Sequence, residues 1–169
     1  MIDARRRGPR HVERPEGGAG EGSMAAIEWR SICCPVDFSE PARAGLRVAA
    51  DLCHRLGCEL VLLYAEAGPK VAEELPPAGS VETKLEAWKQ EAERLGAPSV
   101  VVARAGGPPE VGILECAAAR DIDLIVMGTH GRADREHMIT GSVAEGVVRN
   151  APCLVLTVRP TARALRSVA

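Results

Sequence analysis

The stretch LIVMGTHGRADREHMITGSVAEGVVRN, residues 124–150, contains an apolar run, a glycine-rich loop and a helical pattern. The run LIVM is typical of a parallel strand that is buried on both faces. The loop holds Gly128, Gly131 and Gly141, and Ser142 follows the last of these directly. Glycine lets backbone N–H groups approach an anion closely, and a helix N-terminus carries a partial positive charge. The stretch therefore indicates a strand, an anion-binding loop and a helix in succession.

A purely structural explanation of this loop stays open at this point. Its glycines could supply tight turns only, and Ser142 could be a plain N-cap. The loop is not a Walker A loop, because no lysine precedes Ser142. The pattern G-x-G-x-x-G does not follow the first predicted strand either, which argues against a Rossmann dinucleotide site.

The same alternation of apolar runs and helical patterns extends over most of the chain. The predicted strands are 32–36, 59–64, 99–103, 124–127 and 153–158. The predicted helices are 40–57, 81–96, 109–120 and 142–150. Ser39 can cap the first helix, Pro41 suits its first turn and Gly57 suits its end. This order predicts an α/β fold, an open five-stranded parallel sheet with helices on both faces.

In such a sheet, ligands bind beyond the carboxyl ends of the strands, where the strand order reverses. The first predicted strand ends in PVDFSE, which places Asp37 at that edge, and the fourth ends at Gly128. The Asp37 carboxylate can accept hydrogen bonds from ribose hydroxyls or from a base amine. An equally simple explanation is that Asp37 only helps to cap the helix that begins near Ser39.

The amino-acid composition argues against several classes of function. Hydrophobic residues are 46% and charged residues 26%, which is the balance of a soluble globular protein. The net charge is -2, but residues 1–23 hold five arginines against four acids and residues 160–169 hold two arginines and no acid. The body between them is therefore acidic, which argues against nucleic-acid or membrane binding. Aromatic residues are 2% and scattered along the chain, which argues against a stacking platform for single-stranded nucleic acid.

Three segments follow from the pattern. Residues 1–25 are rich in Gly, Arg, Pro and Glu and predict a disordered N-terminal tail, with Met24 as a candidate translation start. Residues 26–160 form the predicted domain, and residues 161–169 a flexible C-terminal tail. The segment 66–80, after the second strand, is long for a connection and is interpreted as a lid or as a variable surface loop.

The cysteines and histidines carry weaker signals. Six cysteines show no metal-ligand spacing and no C-x-x-C pair, which is typical of reduced thiols in a cytoplasmic protein. A redox sensor using Cys33 and Cys34 is a weak alternative, because neighbouring strand residues point to opposite faces. His130 and His137 are interpreted as solvent-exposed loop residues rather than proton shuttles or metal ligands.

The motif G-x-x-G-x9-G-[ST], formed by Gly128, Gly131, Gly141 and Ser142, closely resembles the universal stress protein (UspA) family. PVDFSE in the first strand and the closing NAPCLVLTV match the same family, so the resemblance covers about residues 29–160. It implies strand order 3-2-1-4-5, an adenine nucleotide alpha hydrolase-like fold and, in the nucleotide-binding branch, ATP with Mg²⁺ or Mn²⁺. The intact glycine pattern favours that branch.

The resemblance also implies a role for each matching residue. Asp37, with Pro35 and Val36, is expected at the adenosine end, the backbone near Ala65 at adenine, and Met127 and Gly128 along the ribose. The phosphates are expected at Gly131, Arg132, Gly141, Ser142 and the amide of Val143. Two features depart from many relatives. Asp134 and Glu136 follow the second glycine, where they could repel the γ-phosphate or hold a metal that bridges to it. Ala65 replaces a frequent valine.

These features predict an ATP-binding stress or signalling module whose nucleotide state changes its partners. Efficient catalysis is not expected, whereas slow ATP hydrolysis or autophosphorylation stays open. The resemblance further implies an antiparallel homodimer through the edge strand 153–158. The alternative is a nucleotide-free dimeric interaction scaffold of the same fold.

Overall fold

The computed structural model describes residues 28–65, 78–129 and 141–159. Strands and helices alternate along this part of the chain. The strands are β1 (Ser31–Val36), β2 (Glu59–Ala65), β3 (Val100–Ala105), β4 (Leu124–Gly128) and β5 (Leu154–Val158). The helices are α1 (Glu40–Leu56), α2 (Ala78–Arg94), α3 (Pro109–Ala119) and α4 (Ser142–Asn150).

All five strands form one parallel sheet in the order β3-β2-β1-β4-β5, so the predicted fold class and strand order are confirmed. The chain moves outward from β1 to β2 and β3, and then returns to the other side of β1 as β4 and β5. The order therefore reverses between β1 and β4, and the crevice that this topology creates lies beyond their carboxyl ends.

The two neighbours of β1 pair with it over different lengths. The register with β2 runs from Ser31 to Val36, whereas the register with β4 covers only Ile32 and Cys33. Pro35 follows two residues later, and proline has no backbone N–H to donate to either neighbour. Pairing between β1 and β4 thus ends before their carboxyl ends, at the point where the strand order reverses.

Helix α1 begins and ends as its sequence predicts. Ser39 is the N-cap, and its hydroxyl oxygen accepts a hydrogen bond from the amide of Ala42. Pro41 lies in the first turn, where its missing N–H has no helical partner to lose. Gly57 ends the helix in the left-handed conformation, with φ of 68°, and its amide donates to the carbonyl of Cys53.

Several element ends differ from the predicted ones. Strand β3 continues through Arg104 to Ala105, because it is an edge strand and a charged side chain there can reach solvent while the backbone pairs with β2. Helix α2 begins at Ala78 rather than at residue 81 and ends at Arg94. The apolar stripe that predicted this helix begins only at Val81, because the sequence of the first turn, Ala78 to Ser80, offers no large apolar side chain to that pattern.

The core lies on both faces of the sheet. One cluster joins β1 and β2 to α1 and α2 through residues such as Leu46, Leu62 and Trp88. The other joins the opposite face to α3 and α4 through residues such as Val61, Ile113 and Val147. None of the helices in the described ranges has the length and apolar character needed to cross a bilayer.

Candidate functional site

The crevice is bounded by the carboxyl ends of β1, β2 and β4 and by the start of α4. Val36 is paired with Tyr64 in the register of β1 with β2, so Asp37 and Ala65 follow neighbouring strands at the same edge. The described residues at this edge include these predicted site positions: Pro35, Val36, Asp37, Ala65, Met127, Gly128, Gly141, Ser142 and Val143. Gly131 and Arg132 lie outside the described residues.

Gly128 is the point at which β4 meets the start of α1. A Cβ atom added at Gly128 would lie 2.7 Å from the carbonyl carbon and oxygen of Pro41. Gly45, one turn further along α1, faces the same point, and a Cβ there would lie 3.3 Å from the Gly128 nitrogen. Gly128 is not among the described glycines with a positive φ, so backbone freedom is not what this position requires. The glycine is required because helix and strand backbones approach closely.

Helix α4 begins at this edge without a side-chain cap. Its N-cap is Gly141, with φ of -67° and ψ of 153°, and Ser142 is the first helical residue. The alternative explanation, in which Ser142 is a plain N-cap, is therefore wrong, and its side chain is exposed. Because glycine offers no side-chain acceptor, no described side chain caps the amides of the first turn. These amides can bind an anion, which the helix dipole also favours.

The loop between β4 and α4 is closed at its base. The amide of Gly141 donates to the carbonyl of Thr129 at 2.7 Å, and the amide of Thr129 donates to Val158. Strand β4, strand β5 and the start of α4 are thus held together by backbone hydrogen bonds. Four other loop residues of interest lie outside the described ranges: His130, Asp134, Glu136 and His137.

Asp37 stands next to the N-terminus of α1. Its Oδ1 accepts hydrogen bonds from the Ser39 amide at 3.0 Å and from the Ser39 hydroxyl at 2.6 Å. The same hydroxyl oxygen accepts from the Ala42 amide at 3.3 Å. Asp37 therefore supports the cap of α1, as the structural explanation predicted. Its half-buried position at the mouth of the crevice is also compatible with ligand contact.

The cysteines are free thiols within the described residues. Cys33 and Cys34 point into opposite core clusters, as expected for neighbours in a strand. A hydrogen bond with Cys116, and then burial, raise the pKa of the Cys33 thiol, and burial raises the pKa of Cys34 to about 12. Thiols held neutral in this way are poor nucleophiles. The arrangement does not support the redox-sensor alternative for this pair.

Sequence reasoning missed one residue at this edge. Phe38 has φ of 65° and packs its ring against Tyr64 and Trp88. The aromatic residues are thus scattered in sequence, but three of the four gather in space. A signal was present in the sequence, because an Asp two residues before a Ser favours a turn closed by the Asp side chain.

Comparison with known proteins identifies the same family that the motifs suggested. The model of the universal stress protein family matches residues 28–159. A universal stress protein of Methanocaldococcus jannaschii is 32% identical over 143 residues, which cover 78% of this chain and 82% of the relative. The structure of UspA from Lactobacillus plantarum is 26% identical with a TM-score of 0.68 and covers 78% of this chain and 99% of that one.

More distant structures of the same fold contain nucleotides. One is a universal stress protein in complex with cAMP, with a TM-score of 0.66, 20% identity and coverage of 79% of this chain and 99% of that one. Another, from Archaeoglobus fulgidus, is in complex with dAMP, with a TM-score of 0.60, 22% identity and coverage of 78% and 98%. An Arabidopsis thaliana family protein has AMP bound, with a TM-score of 0.56, 13% identity and coverage of 82% and 97%.

Proposed function

Because this chain belongs to the universal stress protein family, we propose that it is an ATP-binding stress-response or signalling module whose nucleotide state changes its partners. One observation carries the proposal. Helix α4 begins without a side-chain cap at the sheet edge where the strand order reverses and the pairing of β1 with β4 has ended. Adenine nucleotides bound to several structural relatives support the choice of ligand.

The nucleoside is proposed to lie at the carboxyl ends of β1, β2 and β4. The residues proposed to line it are Pro35, Val36, Asp37, Ala65, Met127 and Gly128. The Asp37 carboxylate accepts hydrogen bonds from ribose hydroxyls or from the base amine, and backbone groups near Ala65 contact adenine. The small side chain of Ala65 leaves room against the ring, so we expect shape to contribute little to affinity there.

The phosphates are proposed to lie at the start of α4. The amides of Ser142 and Val143 donate to phosphate oxygens, and the Ser142 hydroxyl adds a further donor. Gly131, Arg132 and Gly141 complete the proposed set, with Arg132 as the neutralising cation. A chain with an acidic body can hold an anion only by such local dipoles and a few chosen cations.

A divalent ion, Mg²⁺ or Mn²⁺, is proposed to accompany ATP. The described residues contain no group of three or more His, Cys, Asp or Glu side chains arranged to hold a metal. Phosphate oxygens and water are therefore expected to supply most of its ligands, as is usual for Mg²⁺. Asp134 and Glu136 are the nearest carboxylates in sequence that could add to them.

Calorimetry with Mg-ATP on the full chain tests the proposal, after mass analysis of any nucleotide that co-purifies. We expect Ser142→Ala and Gly131→Ala each to weaken binding about tenfold, roughly the loss of one hydrogen bond to a charged group. Ser99→Ala is the matched control, because Ser99 is an exposed serine at the opposite end of the sheet. Absence of binding, or equal binding by all variants, contradicts the assignment. Hydrolysis and autophosphorylation are measured in the same samples.

A second candidate function is a nucleotide-free dimeric scaffold. Strand β5 is an edge strand that pairs only with β4 among the described strands, and Leu154 and Leu156 are 60% and 39% exposed on it. An uncovered apolar edge favours pairing with another strand, here an antiparallel copy of β5. A dimer by light scattering that Leu154→Lys converts to a monomer supports this contact, and a monomeric wild type contradicts it.

We also propose a cytoplasmic location. The six cysteines are free thiols, five of them buried, and none forms a disulfide in the described residues. Reduced thiols of this kind are typical of the cytosol, where glutathione and thioredoxin maintain them. Cell fractionation with an antibody to the full chain tests this proposal.

A further inference from the structure

Phe38 holds a backbone conformation that a side chain rarely adopts. Its φ is 65°, and among the described residues only Asp121 shares a positive φ without being glycine. In this left-handed region the Cβ atom crowds the following carbonyl oxygen, so glycine is the usual occupant. A bulky residue persists there only when the surrounding structure fixes it. The contacts of the Phe38 ring must therefore stabilise this backbone conformation.

Two aromatic rings hold the ring of Phe38. Its centroid lies 5.3 Å from that of Tyr64 in a stacked arrangement with an interplanar angle of 24°. It lies 5.5 Å from that of Trp88 at 87°, an edge-to-face contact. Both partners are almost fully buried, and the Lys84 ammonium lies 5.6 Å from the Phe38 centroid. These are favourable aromatic and cation–π geometries, and they anchor the turn between β1 and α1 to β2 and α2.

The backbone of Phe38 lies inside the turn that holds the Asp37 carboxylate. That carboxylate reaches over Phe38 to accept from the Ser39 amide at 3.0 Å and from the Ser39 hydroxyl. In this turn the residue between Asp37 and Ser39 has a φ of 65°. The ring of Phe38 and the carboxylate of Asp37 are thus carried by one and the same turn.

The same cluster reaches the neighbouring wall of the crevice. Tyr64 is paired with Val36 in the sheet and directly precedes Ala65. The guanidinium of Arg104 lies 5.9 Å from the centroid of the Tyr64 ring on the side of β3. A single ring, that of Phe38, therefore connects the chain at Asp37 with the residue before Ala65.

We propose that Phe38 is a positioning residue, which acts through Asp37 to direct its carboxylate toward the nucleoside part of the ligand. This inference rests on the proposed nucleotide function for its ligand. The positioning itself is a property of the free protein. Two measurements therefore separate the inference from the proposed function.

The first measurement is amide hydrogen exchange by NMR on the full chain without nucleotide. Phe38→Gly keeps the backbone conformation accessible but removes the ring, and Phe38→Leu tests a smaller side chain if the glycine variant unfolds. We expect the Ser39 and Ala42 amides to exchange about tenfold faster in both variants. The Thr129 amide, bonded to Val158, is the internal reference for global stability and stays unchanged. Phe38→Tyr, which keeps the ring, restores wild-type exchange.

The matched control is Trp29→Leu, because Trp29 is another half-buried aromatic residue that packs against the same core cluster. It is expected to leave Ser39 and Ala42 unchanged. Equal exchange in wild type and both Phe38 variants overturns the inference, whether or not nucleotide binds. An increase that Thr129 shares in full also overturns it, because the ring would then serve stability alone.

The second measurement is a double-mutant cycle on Mg-ATP affinity. We expect Phe38→Gly to weaken binding about fivefold and Phe38→Tyr to bind as wild type. In the Asp37→Ala background, Phe38→Gly has no further effect if it acts through the carboxylate. The same fivefold loss in both backgrounds overturns the inference while leaving ATP binding intact. If wild type does not bind ATP, the proposed function fails and the exchange measurement alone decides the role of Phe38.

Discussion

Helices α1 and α4 begin at the same edge of the sheet, after neighbouring strands, yet their first turns are satisfied differently. The N-cap of α1 is Ser39, whose hydroxyl accepts from Ala42 and is itself held by Asp37. The N-cap of α4 is Gly141, which has no side chain to offer. One helix start is thus closed by its cap side chain, whereas no side chain of the described ranges caps the amides of the other.

This difference separates a helix start that supports the fold from one that we propose to bind phosphate. A capped start stabilises the helix and fixes Asp37, whereas an uncapped start gives up that stabilisation and keeps its dipole available. Gly128, at the end of the strand that leads toward α4, packs directly on the first turn of α1. Substitutions at the start of α1 should therefore lower stability more than nucleotide affinity. Substitutions at the start of α4 should lower nucleotide affinity more than stability.

The largest expected effect is on stability, and it comes from the contact between Gly128 at the end of β4 and Pro41 in the first turn of α1. Gly128→Ala forces a Cβ atom to within 2.7 Å of the Pro41 backbone, so strand or helix must move. We expect the free energy of unfolding, measured in urea, to fall by about 1–3 kcal/mol. Gly45→Ala is the control, since its closest contact is 3.3 Å and the helix gains from alanine. Equal losses in both variants would show that close packing is not special to Gly128.

The next effect compares the two serines. Ser39→Ala removes the cap of α1 and should lower the free energy of unfolding by about 1 kcal/mol. Ser142→Ala, at an exposed first position of α4, should change it by less than about 0.5 kcal/mol. Both values are measured in urea without nucleotide. A larger loss at Ser142 than at Ser39 would reverse the comparison.

A smaller effect follows if α4 is given a cap of its own. The φ and ψ of Gly141 already match an N-cap, so Gly141→Ser can place a hydroxyl oxygen near the first-turn amides. We expect the free energy of unfolding to rise by a few tenths of a kcal/mol. Mg-ATP affinity should fall severalfold in calorimetry, because the new oxygen competes with phosphate. Unchanged affinity would mean that these amides do not bind the ligand.

The smallest effect is expected for Cys34 in the interior of the sheet, whose reactivity should not change when nucleotide is added. Burial raises the pKa of Cys34 to about 12, so its thiolate is scarce at pH 7.5 and rises only as the pH approaches that value. Mass spectrometry after mild iodoacetamide treatment should find Cys34 unmodified, with or without Mg-ATP. Labelling in urea is the control for reactivity. Rapid labelling of Cys34 in the folded protein would contradict this expectation, because it would show that the interior of the sheet opens to the reagent.

Much of the fold could be predicted from the sequence, because buried parallel strands and amphipathic helices leave strong local patterns. The limits of α4 at Ser142 and Asn150 and the cap at Ser39 agree with the structure. The strand order came from the family motifs rather than from periodicity. Element ends were less accurate where backbone pairing continues past the apolar run, as at Arg104.

The site was harder to predict, because its key features depend on residues distant in sequence. The need for glycine at position 128 comes from Pro41, and the position of Phe38 comes from Tyr64 and Trp88. No local pattern contains such contacts. The alternative of Ser142 as an N-cap fails for a local reason, since Gly141 with extended backbone occupies the cap position.

The hydrogen bond between the Gly141 amide and the Thr129 carbonyl, at 2.7 Å, has a consequence for engineering. This hydrogen bond holds together Thr129 and Gly141, the two residues that flank the segment 130–140. The entropy of closing such a loop grows only with the logarithm of its length, by about 0.6 kcal/mol for each doubling. Segments of other lengths and sequences can therefore be grafted between Thr129 and Gly141 at little cost to the sheet.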